Sequence, residues 1–90
     1  MAKANVDPAA LRQFAKDLSR FSNDLEALMS SLWGKMSALE QTWRDQEQKK
    51  FAEAFESTAK VLSAFVEDSK QHASQLAKKA SLIEEYLKQR

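Results

Sequence analysis

The feature that most constrains this chain is an apolar residue that recurs at alternating spacings of three and four positions along almost its whole length. In the first half Lys35 is the one interruption of the series, which comprises Leu11, Phe14, Leu18, Phe21, Leu25, Leu28, Leu32 and Leu39. In the second half the small polar Ser69 takes one position of the series, which comprises Phe55, Ala59, Leu62, Val66, Ser69, Ala73, Leu76, Ala80, Ile83 and Leu87. This period is that of an amphipathic helix and not of a strand. One glycine and one proline leave few turn residues for a sheet, so the sequence predicts an all-α fold.

Two sites compete for the turn between the two series, Trp33-Gly34 and Trp43-Arg44-Asp45. The first series stays in phase through Gly34, which falls opposite the apolar face. A glycine inside a helix costs about 1 kcal/mol relative to alanine but need not end the helix. A turn at Trp43-Arg44-Asp45 also gives two arms of comparable length. The sequence therefore predicts one hairpin domain over residues 1–90, with helices near 8–41 and 46–88 and a turn near 42–45.

Capping residues support these boundaries. Asp7 can accept from the exposed N–H groups of the first helix, and Pro8 occupies the first helical position, where no N–H is needed. Asp45 followed by Gln48 has the spacing of a capping box, in which each side chain satisfies a backbone N–H of the other.

Both apolar faces are broader than one neighbouring helix can cover, and this predicts that two hairpins dimerise into a four-helix bundle. The predicted core and dimer seam consists of Leu18, Phe21, Leu25, Leu28, Leu32, Phe55, Leu62, Phe65, Val66, Leu76 and Ile83. The columns predicted to need a second hairpin are Met29–Met36–Trp43 on the first helix and Phe51, Phe65 and Tyr86 on the second. A homodimer is preferred, and a heterodimer with a similar hairpin is the alternative.

A separate hypothesis concerns Met29, Trp33 and Met36, which cluster at the edge of the apolar face of the first helix. Buried packing is the simpler interpretation of such a cluster. A patch that binds a partner is the alternative, since methionine suits adaptable surfaces.

Composition argues against several classes of function. The net charge is +1 with both signs mixed along the chain, so no basic stripe predicts nucleic-acid binding. No run approaches the roughly 18–20 apolar residues that span a membrane, and the N-terminus lacks the apolar core of a signal peptide. His72 has no second histidine and no cysteine with which to share a metal. We expect no cofactor, no metal and no catalytic residues.

The hairpin resembles the WXG family, the ESAT-like small proteins exported by type VII (ESX) secretion systems. The resemblance rests on the opening Val6-Asp7-Pro8 with Leu11-Arg12, on the tryptophan in the turn, and on Phe51 and Phe55 after it. The family motif is Trp-X-Gly, whereas this chain has Trp43-Arg44-Asp45. Aspartate caps a helix at least as well as glycine, so the change is mild if the glycine serves as a cap.

The resemblance implies a protein that binds other proteins and is secreted without a cleavable signal peptide. It implies a secretion ATPase or a cognate effector as further partners. Trp43, Asp45 and Phe51 form the turn motif and are the candidate residues for recognition by the secretion machinery; the alternative for Trp43 is a structural role, in which it closes the end of the bundle. Family substrates often carry Tyr-X-X-X-Asp/Glu after the second helix, whereas Tyr86 is followed here by Arg90. This difference implies export with a partner that carries the signal. The alternative is an intracellular, cytoplasmic helical adaptor or structural bundle that shares only the hairpin shape.

Overall fold

The structure, a computed structural model, describes residues 6–89 as two helices joined by a short turn. Helix α1 spans Pro8–Leu39 and helix α2 spans Gln46–Lys88. No strand occurs in the described residues, and the predicted all-α hairpin is confirmed. Helix α1 ends two residues before the predicted position 41. Arg90, the position compared with the acidic residue of the tail motif, lies outside the described residues.

Each helix begins at an aspartate that caps it. Asp7 Oδ1 accepts from the N–H of Ala9 at 3.0 Å, and Asp45 Oδ1 accepts from the N–H of Gln48 at 3.0 Å. The reciprocal half of the predicted capping box is wrong. Gln48 Nε2 instead donates to Glu40 Oε2 at 2.8 Å, because the short turn brings the end of α1 directly against the start of α2. The amide therefore ties the two helices together across the turn.

The chain reverses at the tryptophan turn and not at the glycine. Gly34 lies within α1, and a Cβ added there would meet no atom within 4 Å. After Leu39 the N–H of Trp43 donates to the carbonyl of Leu39 at 2.9 Å, and Arg44 Nε donates to the carbonyl of Glu40 at 3.0 Å. These bonds satisfy carbonyls that the end of α1 leaves without helical partners.

The two helices meet mainly through small side chains. The buried residues are Ala15, Ser22, Met36, Gln48, Val66, Ser69, Ala73 and Ala80. Small residues let the two backbones approach closely, and Ser22 Oγ donates to the carbonyl of Leu18 at 2.9 Å, so its hydroxyl is satisfied inside the contact.

The prediction that the methionine column of α1 stays uncovered is wrong for Met36, which is 6% exposed. The column of α1 that faces α2 is Ala15–Ser22–Met29–Met36. The leucine series lies beside this column and is less deeply buried. Met29 and Trp43 are half-buried. Two neighbouring columns with the same period cannot be told apart by spacing alone, and here the column with smaller residues makes the closer contact.

The hairpin is elongated and one helix thick. It measures 67 × 26 × 14 Å, and its radius of gyration is 19.9 Å, against roughly 12 Å for a compact domain of this length. Its accessible surface is 7224 Å², whereas a compact monomer of this mass exposes roughly 5,300 Å². Neither broad face of the two helices is covered by another layer of the described chain.

Candidate protein-binding surface

One broad face of the hairpin, called here the polar face, carries ion pairs between the helices. Arg12 Nη2 lies 2.6 Å from Glu84 Oε1 and also donates to Ser81 Oγ at 3.0 Å. Further toward the turn, Lys70 Nζ lies 3.1 Å from Glu26 Oε1. Arg12 and Glu26 share a heptad position on α1, as do Lys70 and Glu84 on α2, so both pairs lie on the same side. Both ion pairs therefore join α1 to α2 within the single hairpin.

The opposite side, called here the apolar face, presents large apolar side chains to solvent. Its exposed members are Phe14, Phe21, Leu28 and Leu32 on α1 and Phe51, Val61, Phe65 and Tyr86 on α2. Phe21 and Phe65 meet across the helix contact with ring centroids 6.2 Å apart and planes at 82°. Ser19 of α1 lines a cleft on the polar face. Leu28 lies nine residues further along α1, which is about two and a half turns at about 3.6 residues per turn, so Leu28 lies on the opposite side of the helix.

The apolar face contains a groove in the half of the hairpin nearer the turn. It holds about 420 Å³ between α1 and α2. Its walls are Leu25, Leu28, Met29 and Leu32 of α1 and Phe51, Ala54, Phe55, Thr58, Ala59 and Leu62 of α2. Thr58 carries the one side-chain hydroxyl among these residues. The groove therefore offers dispersion contacts to an apolar group and very little hydrogen bonding.

Aromatic rings pack together beside the groove. Trp33 lies on Phe55 with ring centroids 5.4 Å apart, and Phe51 lies 6.2 Å from the same ring. Trp33 and Phe51 are both exposed in the hairpin. The proposed patch of Met29, Trp33 and Met36 is therefore divided: Met36 is buried, Met29 lines the groove, and Trp33 packs on α2.

The other predicted seam residues fall into two classes. Those half-buried beside the helix contact are Leu18, Leu25, Phe55, Leu62, Leu76 and Ile83. Those exposed on the apolar face are Phe21, Leu28, Leu32 and Phe65, while Val66 is buried within the hairpin. The sequence analysis did not include Val61 in the predicted seam, although it is exposed and widens the apolar face of α2. The signal that could have identified it is an apolar residue next to the seam residue Leu62. Leu82, which is also exposed, lies on the other side and lines a cleft with Arg12 and Ser81.

Comparison with known proteins decides the family. A family profile described as "proteins of 100 residues with WXG", WXG100, matches residues 3–86. The chain belongs to the WXG100 family. Among solved structures it is similar to the crystal structure of a secreted protein EsxB, a mutant form, from Bacillus anthracis str. Sterne, with a TM-score of 0.77 and 19% identity. The match covers 93% of this chain and 97% of that one, and it shows a shared fold. A search of curated proteins gave no match.

The turn of this WXG100 chain accommodates aspartate at the third motif position. Asp45 has φ −102° and ψ −173°, an extended conformation that any residue adopts. No residue between 6 and 89 has a positive φ. The carboxylate of Asp45 caps α2 by accepting from the N–H of Gln48, and the backbone there is extended, so the conformation of the turn does not require a glycine at this position.

Two further observations concern sites of other kinds. Within residues 6–89, no three His, Cys, Asp or Glu side chains are grouped so that they could hold a metal ion. No helix in this part of the WXG100 chain is long and apolar enough to span a membrane. The groove and the apolar face are the candidate site that the geometry supports best.

Proposed function

We propose that this WXG100 protein is a type VII secretion substrate, or the co-secreted partner of one, and that it acts by binding proteins and not by catalysis. The observation that carries the proposal is the apolar face, which is long, contiguous and uncovered in the hairpin. Monomeric soluble proteins rarely expose contiguous apolar patches larger than a few hundred Å². Family membership supports the link to secretion.

The partner proposed for this face is a second hairpin, so that the working unit is a four-helix bundle. The hairpin exposes roughly 1,900 Å² more than a compact monomer of its mass, and a standard interface buries roughly 800 Å² on each partner. A homodimer is preferred, and a heterodimer with a similar hairpin is the alternative. Sedimentation equilibrium of the purified chain tests this: we expect a dimer, and a well-folded monomer at micromolar concentration contradicts it.

Recognition by the secretion machinery is proposed for the turn, through Trp43, Asp45 and Phe51. Phe51 is 49% exposed in the hairpin, and Phe65 on the same helix is 48% exposed, which makes a matched pair for mutation. We expect Phe51→Ala to reduce export while Phe65→Ala leaves export in place, provided that both variants remain dimeric. Equal export of the two variants contradicts a role for Phe51 in recognition by the secretion machinery.

Export itself is tested in the host by assaying culture supernatant with and without the secretion ATPase. We expect the protein in the supernatant of the parent strain and its loss when the ATPase is removed. Retention in both strains contradicts secretion and favours the intracellular adaptor. Appearance in the supernatant only when a second hairpin is co-expressed favours co-export with that partner.

A further inference from the structure

The two halves of the hairpin carry opposite net charge. Residues 8–23 and 70–88 adjoin in the half nearer the chain ends, and together they have seven basic and three acidic side chains, a net charge of +4. Residues 24–69, which include the turn, have five basic and nine acidic side chains, a net charge of −4. The charges are mixed along the sequence, and the reversal of the chain at the turn collects the basic excess at one end.

The basic half contains two clefts on the polar face, of about 480 and 350 Å³. They adjoin, because Arg12, Ser74 and Ala77 line both of them. The joined clefts are called here the basic trough. Its charged lining consists of Arg12, Lys16, Lys70 and Lys78 with one carboxylate, that of Glu85.

We propose that the basic trough binds an acidic amphipathic helix of another protein, with Lys16 and Lys78 contacting carboxylates along that helix and Leu82 contacting an apolar residue on it. The inference goes beyond the proposed dimer and does not depend on it. The trough lies on the polar face, so it stays open whether or not the apolar face is covered.

Two of the four basic side chains in the trough have no acidic partner in the hairpin. Within residues 6–89, the ion pairs closer than 4.0 Å are Arg12–Glu84 and Lys70–Glu26. Lys16 and Lys78 are both exposed and belong to neither pair. A cleft lined by unpaired charge of one sign attracts groups of the opposite sign, and it does so most strongly at low salt.

An exposed leucine at the edge of the trough gives a separate reason to expect a protein partner. Leu82 is 70% exposed and lines the larger cleft. It lies away from the apolar face, so a partner on that face leaves it in water. Beside it the trough is lined by small side chains, including Ala15, Ala73 and Ala77, over which another helix can approach closely.

The chemistry of the trough favours a helix over other acidic partners. An extended peptide binds by adding to a sheet edge, and both elements here are helices, whereas a helical partner satisfies its own backbone. Glu85 lines the trough and Glu84 lies beside it, and both repel the continuous charge of a nucleic acid. Lys70 and Glu85 are fifteen residues apart on α2, about 22 Å, which is the length of roughly four helical turns.

The proposal is tested with a synthetic helical peptide of about 21 residues, long enough to cover the trough at about 1.5 Å per residue. It has glutamates on one face, alanines on the other and a single leucine, and a control peptide has lysines in place of the glutamates. The double variant Lys16→Glu with Lys78→Glu is compared with Lys50→Glu plus Lys60→Glu. The second pair changes the net charge equally at exposed positions in the acidic half. Circular dichroism checks that each variant is helical.

We expect the acidic peptide to shift the backbone amide resonances of Ser74 and Ala77. The Lys16/Lys78 double variant should weaken its binding by about tenfold or more, and the Lys50/Lys60 variant by less than about threefold. Leu82→Ala should weaken binding by about threefold or more.

Four results would overturn the proposal. The first is no binding of the acidic peptide at millimolar concentration, and the second is equal weakening by both double variants. The third is a set of resonance shifts confined to the apolar face around Leu28. The fourth is binding of the lysine peptide, of duplex DNA or of phosphatidylserine vesicles at least as tight as that of the acidic peptide, because the trough would then not select an acidic helix.

Discussion

The polar face and the apolar face belong to the same two helices, but they differ in how far their side chains find partners within the single hairpin. On the polar face, Arg12 and Lys70 of opposite helices reach carboxylates of the neighbouring helix at 2.6 and 3.1 Å. On the apolar face, Leu28 is 68% exposed and the rings of Phe21 and Phe65 contact each other but remain open to solvent. One face already pairs charges of its two helices within the single chain. The other gains apolar burial only from a partner.

This difference distinguishes the residues that hold α1 against α2 from the residues proposed to bind a partner. Contact between α1 and α2 depends on a narrow line of small buried residues around Val66 and Ala73. The proposed binding surface consists of larger residues beside that line. Because these two sets occupy different helix positions, substitutions can be chosen that affect one and spare the other.

The largest effect is expected from Val66→Asp, which breaks the hairpin itself. Val66 is 2% exposed, so the substitution buries an unpaired carboxylate at a cost of several kcal/mol. A chain of this size has little stability to spare, and we expect the helical signal and the cooperative melt to be lost. Ala64→Asp is the matched control on the same helix, because Ala64 is exposed and belongs to neither the helix contact nor the apolar face. Circular dichroism melts that fall equally for both variants would contradict the role given to Val66.

The next effect is expected from Leu28→Asp, which targets the apolar face alone. In the proposed dimer the aspartate would be buried beside the other copy without a partner, at a cost of about 2–5 kcal/mol, and this raises the dimer dissociation constant by roughly one and a half to three and a half orders of magnitude. Ala27→Asp adds the same charge one residue away, where α1 is exposed on another side. Analytical ultracentrifugation should show dissociation for the first variant only. Dimers of equal strength would exclude Leu28 from the interface.

The hairpin could be predicted from the sequence because its determinants are local. Pro8 and the aspartates before each helix fix where the helices start, and the unbroken heptad series carries α1 through Gly34. What the sequence did not determine is which column of α1 faces α2. Leucines and methionines satisfy the same spacing, and the choice depends on how closely the backbones approach around Ala15 and Ser22, a property of both helices together.

The partner side chain of Gln48 was missed for a related reason. A capping box is a local pattern and predicts a bond back to Asp45, but the amide bonds Glu40 of the preceding helix. That bond exists only after the turn has brought the two helix ends together. The groove was likewise not predictable, because it forms where Leu28 and Phe51, far apart in the chain, stand on either side of the helix contact.

A moderate effect is expected from Asp45→Ala at the turn, where both faces end. Loss of the Asp45 cap to Gln48 should cost about 1 kcal/mol, whereas Asp45→Gly should cost only a few tenths. For a domain of this size about 1 kcal/mol lowers the melting temperature by about 4–8 °C. Thermal melts at fixed protein concentration distinguish the two. A glycine variant as unstable as the alanine variant would show that the side chain does more than cap the helix.

A similar but opposite change is expected from Gly34→Ala on the outer side of α1. The glycine is helical and an added methyl group meets no atom within 4 Å, so alanine should stabilise the helix by about 0.5–1 kcal/mol. The dimer dissociation constant should stay unchanged, because the position belongs to neither the helix contact nor the apolar face. Weaker association of the alanine variant would show that a partner approaches this side.

The smallest effect is expected on the polar face, from removing its ion pairs. Exposed pairs contribute about 0.2–1 kcal/mol in double-mutant cycles and weaken as salt screens them. Arg12 and Glu84 are 37% and 40% exposed, and Arg12 also bonds Ser81, whereas Lys70 and Glu26 are 38% and 53% exposed. We therefore expect a larger coupling energy for the first pair than for the second, with neither change altering dimerisation.

The cycles use Arg12→Met with Glu84→Gln, and Lys70→Met with Glu26→Gln, which keep side-chain length while removing charge. Urea unfolding at low and high salt gives the coupling energies. Since both pairs close within one hairpin, the couplings should be the same at protein concentrations that favour monomer or dimer. A coupling energy that grows with the dimer population would place the polar face in the dimer interface. The polar face and the apolar face would then no longer differ in their role in association.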